Sequence, residues 1–189
     1  MQNKDDLRKL FLGKRLQLTP SEIEKKSRQI AENLFSVDKI RDKENFSIYL
    51  PINNEVDTKF IINNLLKKNK NLNCPYFSKT DNAYYFTKFT NWENLEKGTH
   101  QILQPIHPEK VDPTIIEIAI IPGIAFDLQG TRLGYGKGVF DTLLAKSKAL
   151  RIGLAYDFQT ADKIPKEKHD LVMNVVITES GVIGAKDFG

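Results

Sequence analysis

Ile115-Ile116-Glu117-Ile118-Ala119-Ile120-Ile121, stopped by Pro122-Gly123, is the stretch on which the fold turns. Nearly every residue in it is apolar and β-branched, without the alternation of a strand that has one wet face. It therefore reads as a central parallel strand buried on both sides. Downstream, a glycine-rich loop leads to a helix expected over Val139–Lys148, and Arg151–Tyr156 and Leu171–Thr178 read as two more strands. Upstream, Phe46–Leu50 is a short β-rich run stopped by Pro51, and Thr58–Lys68 carries Phe60, Ile61, Leu65 and Leu66 as a helix. Leu72–Phe77 and Ala83–Phe89 are expected strands. Thr90–Pro113 contains Pro105, Pro108 and Pro113 and shows little periodicity, so a long irregular connection is expected there. Strands alternating with helices predict an α/β fold with ligands beyond the carboxyl ends of its strands.

The chain opens with two helices. Leu7, Leu10, Phe11 and Leu18 recur at helical spacing and predict an amphipathic helix that ends before Thr19. Thr19-Pro20-Ser21-Glu22 then supplies a capping hydroxyl, a proline at the first helical position and a glutamate three residues after the cap, with Ile23, Ile30, Leu34 and Phe35 as the apolar face.

The 189 residues, 40% hydrophobic and 10% aromatic, suffice for one sizeable core, and a single domain over residues 1–189 is expected. Met1–Arg15 alternates charged and apolar residues, unlike a signal peptide, and no apolar run approaches the roughly 20 residues that cross a bilayer. A single cysteine, Cys74, excludes an internal disulfide and an all-cysteine metal cage. It reads as a buried or half-buried strand residue. The net charge of +4 and a pI near 9.0 suit an anionic ligand, but 28 basic residues against 24 acidic ones form no dense patch of the kind nucleic acids require. His100, His107 and His169 are scattered without ligand spacing.

Chemistry concentrates in Arg132-Leu133-Gly134-Tyr135-Gly136-Lys137-Gly138-Val139-Phe140-Asp141. Gly134, Gly136 and Gly138 let the backbone bend and approach a ligand, so that successive amides converge on phosphate oxygens. Arg132 supplies a bidentate fork and Lys137 a compact mobile charge, a pair suited to a polyphosphate. Asp141 follows Lys137 by four residues and so shares its helical face, where a carboxylate suits a Mg²⁺ that bridges phosphates. The pattern is neither a Walker loop, lacking Ser or Thr after the lysine, nor a dinucleotide fingerprint. Phe126 and Phe140 suit the core better than a ligand wall, Trp92 suits packing, and Asp127 with Gly130 reads as a turn.

Taken whole, the run from Pro122-Gly123 through Phe126-Asp127 to Phe140-Asp141 resembles the signature of the 5-formyltetrahydrofolate cyclo-ligase family. Lys4-Asp5-Asp6-Leu7-Arg8 resembles that family's Lys-x-x-Leu-Arg element. Leu50-Pro51-Ile52-Asn53-Asn54-Glu55-Val56-Asp57-Thr58 is similar to its folate-binding loop, and Gln104-Pro105 and the stretch from His169-Asp170 to Val175-Val176-Ile177-Thr178-Glu179 also sit where the family has like residues. The resemblance implies a three-layer α/β domain, a mainly parallel sheet flanked by helices, NagB/RpiA/CoA-transferase-like. It implies ATP- and Mg²⁺-dependent closure of 5-formyltetrahydrofolate to 5,10-methenyltetrahydrofolate by a cytoplasmic monomer, with small molecules and neither nucleic acid nor membrane as partners. It further implies catalysis by Lys137 and Arg132, and nucleotide contacts from Lys4, Arg8, Arg132, Leu133, Gly134, Tyr135, Gly136, Lys137, Gly138 and Phe140. Leu50, Glu55 and Tyr135 would contact the folate, and Asp141 and Asn174 the metal. Two positions depart from the family pattern. Val139-Phe140-Asp141 stands where Tyr-Tyr-Asp is common, and Asn174 stands where many members carry a second Asp. Two competing readings remain at this point: a phosphosugar isomerase or acyl-coenzyme A transferase of similar architecture, and a folate- or nucleotide-binding protein without activity.

Overall fold

A computed structural model describes residues 3–98, 102–167 and 170–183; His100, His169 and the tail Gly184–Gly189 lie outside them. Helix α1 (Lys4–Leu16) starts at Asn3, whose side chain accepts the Asp6 N–H, and it buries Leu7, Phe11 and Arg15 at intervals of four. Leu10, expected on the apolar face, is instead exposed. Helix α2 (Pro20–Phe35) begins in a complete capping box: the Thr19 hydroxyl accepts from the Glu22 N–H, and the Glu22 carboxylate accepts from the Thr19 N–H at 2.8 Å.

Strand β1 (Asn45–Ser47) is followed by α3 (Lys59–Lys67), β2 (Asn71–Ser78) and β3 (Ala83–Phe89). The region expected to be irregular holds three short strands, β4 (Leu95–Lys97), β5 (Leu103–Pro105) and β6 (Lys110–Val111). β4 and β5 pair with each other and β6 pairs with β3; runs of two or three residues are too short to leave a periodic signature. Trp92 packs edge-on against Phe89 and donates its ring N–H to Asn63 in α3.

The apolar run forms β7 (Ile118–Pro122), beginning later than expected because Pro113–Ile115 is a 3₁₀ turn that leaves Ile115 exposed. The chain then makes β8 (Ala125–Asp127) and β9 (Arg132–Leu133), a small hairpin that the sequence did not announce. Its turn is organised by Asp127, whose carboxylate accepts the N–H groups of Gln129, Thr131 and Ile164. The helix expected over Val139–Lys148 shrinks to α4 (Val139–Leu143). The remaining strands are β10 (Leu150–Leu154), β11 (Thr160–Ala161), β12 (Val175–Thr178) and β13 (Gly181–Ile183).

Among the described residues the main sheet runs β13-β12-β10-β7-β1-β2-β3-β6. The five strands from β12 to β2 are mutually parallel, and β13, β3 and β6 are antiparallel additions at the two edges. β7 lies between β1 and β10, and Ile118 through Ile121 are completely buried, as its composition requires. α2 and α3 pack against each other and against β12 and β2. A second cluster, Leu7, Phe11, Ile124, Ala125, Leu133 and Ile164, seats α1 on the β8–β9 hairpin. Burial of Leu7 and Phe11 contributes about 1.5–3 kcal/mol each, and it fixes the helix that carries half of the site's cations. Cys74 is buried in β2, and burial pushes its thiol up to about 12, which leaves no thiolate at neutral pH.

Phe126, in β8, is buried in the main core cluster. Its ring lies so close to Gly123 and Gly153 that a Cβ on either glycine would stand 2.5 or 2.6 Å from ring atoms. The ring is buried and cannot yield, so Gly153→Ala should lower stability by about 1–3 kcal/mol, the range for overpacking. Urea unfolding of the two proteins at one pH measures this; an unchanged midpoint would mean that the cradle is loose.

Candidate functional site

A cavity of about 820 Å³ opens beyond the carboxyl ends of β1 and β7, where open α/β sheets place ligands. Its walls come from α1, the loop after β1, the second half of β2, the start of β3, β5, the segment Arg132–Asp141, and Glu167 with Asp170. Every residue expected to touch nucleotide or folate, from Lys4 and Arg8 through Leu50 and Glu55 to Phe140, borders this one space, as does Asp141.

The cationic wall follows from helical geometry. At about 100° per residue, positions 4, 8 and 15 fall within about 40° of one another on α1, so Lys4, Arg8 and Arg15 share one face of the helix; Lys4 and Arg8 border the cavity and Arg15 is enclosed behind it. Lys4 Nζ is held by Glu167 at 2.8 Å and Asp170 at 3.0 Å, and these two hydrogen bonds raise its pKa. Arg8 donates from Nε to the Gly134 carbonyl at 2.9 Å and pairs with Asp5. Arg15, which sequence reasoning passed over, is completely buried; continuing the Lys4–Arg8 spacing by seven residues would have found it.

The glycine ribbon keeps its expected form with a different emphasis. Gly136 and Gly138 have φ of 86° and 60°, the left-handed region, where a side chain would be strained. The amides of Tyr135, Gly136 and Gly138 take part in no backbone hydrogen bond among the described residues, and the ribbon borders the cavity. With only five residues, α4 has little macrodipole to offer, so an anion in this cavity would have to be held by ribbon amides and side chains. Arg132 packs against Gly134, where a Cβ would come within 2.7 Å of its guanidinium. Its Nη2 pairs with Asp141 at 2.6 Å, and its buried Nε has no hydrogen-bond partner among the described residues. An orphaned cationic donor at the edge of a cavity is costly unless an anion satisfies it. Lys137 is exposed on the same rim.

The metal expectation changes. Asn174 does not reach the cavity: it is exposed near the amino ends of the parallel strands, where its side-chain oxygen accepts from Arg151 N–H at 2.9 Å and anchors β12 to β10. Asp141 does border the cavity, but its carboxylate is shared between Arg132 and the Leu171 N–H at 3.0 Å. No group of three or more His, Cys, Asp or Glu that could hold a metal occurs among the described residues. Asp141 therefore suits a Mg²⁺ only as a single carboxylate ligand, with phosphate oxygens and water completing the shell, which is how that ion is commonly held.

The folate-like loop is tied from below. Asn53 and Asn54 adopt φ of 48° and 57°, and Asn54 donates from Nδ2 to the carbonyls of Arg15 and Leu18, both at 3.3 Å, at the end of α1. Glu55 closes the loop by accepting the Ile52 N–H at 3.0 Å. Glu55 is buried, and desolvation raises its pKa to about 7 against the opposing pull of Arg15 at 3.9 Å and the Ile52 amide. Phe77 and Tyr84 line the same cavity with ring centroids 4.9 Å apart, an apolar wall suited to an aromatic ligand. Neither ring stood out in the sequence, since strand aromatics are ordinary; only the β2–β3 register brings them together, with Phe77 opposite Tyr84.

Comparison with known proteins identifies the family to which the chain is related. The model of the 5-formyltetrahydrofolate cyclo-ligase family matches residues 1–179. A 5-formyltetrahydrofolate cyclo-ligase of Mycoplasma genitalium is 33% identical over 165 residues, covering 86% of this chain and 90% of that protein. One from Mus musculus is 28% identical over 175 residues, with 86% of each covered. Among solved structures, Aquifex aeolicus 5,10-methenyltetrahydrofolate synthetase superposes with a TM-score of 0.86 at 33% identity, over 97% of this chain and 93% of that one. With the signature segment, the helix-borne cations and the whole-chain match in agreement, this chain belongs to the 5-formyltetrahydrofolate cyclo-ligase family.

Proposed function

We propose that this chain catalyses the ATP-dependent cyclisation of 5-formyltetrahydrofolate to 5,10-methenyltetrahydrofolate, with release of ADP and phosphate. The observation that carries the reading is the convergence on one cavity of Lys4, Arg8, Arg132 and Lys137 with an amide-rich ribbon, beside the buried carboxyl of Glu55 and two aromatic rings. The same reading takes residues 1–189 as one three-layer domain, NagB/RpiA/CoA-transferase-like, working as a cytoplasmic monomer. A phosphosugar isomerase or coenzyme A transferase of similar architecture is not favoured, because the family match spans residues 1–179.

A formamide carbon is a poor electrophile and its oxygen a poor leaving group. In the proposed route the formyl oxygen attacks the γ-phosphorus and ADP departs, leaving an iminophosphate. The N10 lone pair then attacks the activated carbon, phosphate leaves with the C–O bonding electrons, and the N10 proton passes to solvent. Such chemistry asks for alignment and charge neutralisation more than for a strong acid or base. Arg132, steadied by Asp141 and packed on Gly134, and Lys137 on the rim offset charge on the transferring group. Lys4 and Arg8 clamp the nucleotide. Leu50 and Tyr135 wall the folate, and Glu55 bonds the pterin or orients the reacting amide; near neutral pH its carboxyl is available in both donor and acceptor forms. Mg²⁺ bound to the nucleotide through Asp141 would supply further neutralisation of the phosphates.

Purified protein should form methenyltetrahydrofolate, read by absorbance, only with ATP and Mg²⁺ present, and with one ADP released per product. Binding of both ligands without turnover would overturn the reading. Lys137→Ala should lower kcat by about a hundredfold or more while stability stays within about 0.5 kcal/mol, as for an exposed residue. Glu55 predicts a pH dependence of stability. Its carboxyl releases its proton near 4.5 when unfolded and near 7 when folded, so between these values the folded state holds the extra proton. Stability from this group is complete below the lower value and declines as pH rises through about 7. In Glu55→Gln that decline should vanish from urea midpoints taken across the window; an identical slope in both proteins would assign the titration elsewhere.

A further inference from the structure

We propose that Arg15 is a positioning residue that joins the folate loop, residues 50–55, to the phosphate ribbon, residues 134–138, so that nucleotide and folate each tighten the binding of the other. The proposal rests on the ligase reading above. Arg15 itself does not border the cavity and touches no ligand space. Its guanidinium is completely enclosed, and its donors fan out to different parts of the site. Nε donates to the Asn53 carbonyl at 2.9 Å in the folate loop. Nη1 donates to the Gly123 carbonyl at 3.1 Å, just past β7, and lies 3.9 Å from Glu55. Nη2 donates to the Tyr135 hydroxyl in the ribbon.

That hydroxyl is a shared acceptor, because Asn53 also donates to it from Nδ2 at 3.2 Å. Tyr135 is 39% exposed, so ring burial alone does not hold it in place; the hydroxyl contacts do. Asn53 lies in the left-handed region, which asparagine tolerates better than most residues, and its backbone carbonyl and side-chain amide both meet this cluster. The two ligand-bearing loops therefore share one planar, permanently charged hub. A ligand that orders either loop sets the hub, and the hub sets the other loop. The second ligand then meets a site whose ordering cost has already been met.

Calorimetric titrations decide this with a non-hydrolysable ATP analogue plus Mg²⁺ and with 5-formyltetrahydrofolate, each alone and each at saturation of the other. In the unaltered protein either ligand should tighten the other by about fivefold or more, the lower end of ordinary coupling, and by the same factor in both directions. Tyr135→Phe, which removes only the shared oxygen, should bring that factor close to one. Arg15→Lys keeps the charge but not the fork, and should do the same. A role confined to stability would lower the melting temperature and leave the factor intact. Should Arg15→Lys fail to fold, Tyr135→Phe alone decides between the two. The proposal is overturned by independent binding in the unaltered protein, or by a Tyr135→Phe factor equal to the unaltered one. Absence of binding by either ligand would instead defeat the ligase reading, and this proposal with it.

Discussion

The site is organised around a charge that cannot be neutralised and cannot reach water. A guanidinium keeps its proton throughout the pH range of folded proteins, and the effective cost of burying such an ion is several kcal/mol. Arg15 is completely enclosed, so its hydration must be replaced group by group. The replacements are the carbonyls of Asn53 and Gly123, the hydroxyl of Tyr135 and the carboxyl of Glu55. Each comes from a segment with no regular secondary structure to hold it. The demand of one buried ion thus places three separate stretches of chain, two of which carry residues that border the cavity, Asn53, Glu55 and Tyr135.

Glu55 illustrates the balance. Arg15 favours its ionised form, yet the pair stands 3.9 Å apart, beyond hydrogen-bond contact, and desolvation outweighs the attraction. The carboxyl is consequently poised near neutrality. The backbone around it is closed by tyrosines: the Tyr156 hydroxyl donates to the Glu55 carbonyl at 3.1 Å and the Tyr49 hydroxyl to the Val56 carbonyl at 2.9 Å. Gln159 performs a parallel service, donating to the carbonyls of Gly123 and Ile124 and leaving few polar groups unmet beneath the cavity.

Along α1 and the glycine ribbon the cations are held by anions of matching reach. Arg132 leans on Asp141, Lys4 on Glu167 and Asp170, and Arg8 on Asp5. These contacts keep flexible side chains aimed at the cavity, while the N–H groups of Tyr135, Gly136 and Gly138 donate to no backbone carbonyl among the described residues. Preorganisation of this kind is what phosphoryl transfer rewards, since little of its barrier is lowered by proton transfer.

Much of this was legible in the chain itself. The isoleucine-rich run read as a doubly buried strand and the Thr19–Glu22 box as a helix start, because each depends on residues adjacent in sequence, while the family resemblance gave weight to the glycine spacing with Arg132 and Lys137. Lys4 and Arg8 were singled out by the family resemblance, not by spacing, and both lie on α1 and border the cavity. What depends on pairing between distant segments was not legible. The β8–β9 hairpin, the opposition of Phe77 and Tyr84, the diversion of Asn174 to Arg151 and the burial of Arg15 all follow from which strand lies beside which. Local sequence determined the elements and the chemistry they carry. Only tertiary packing decided which charges lose their water, and that loss, by forcing each buried group to find a partner, set the geometry of the site.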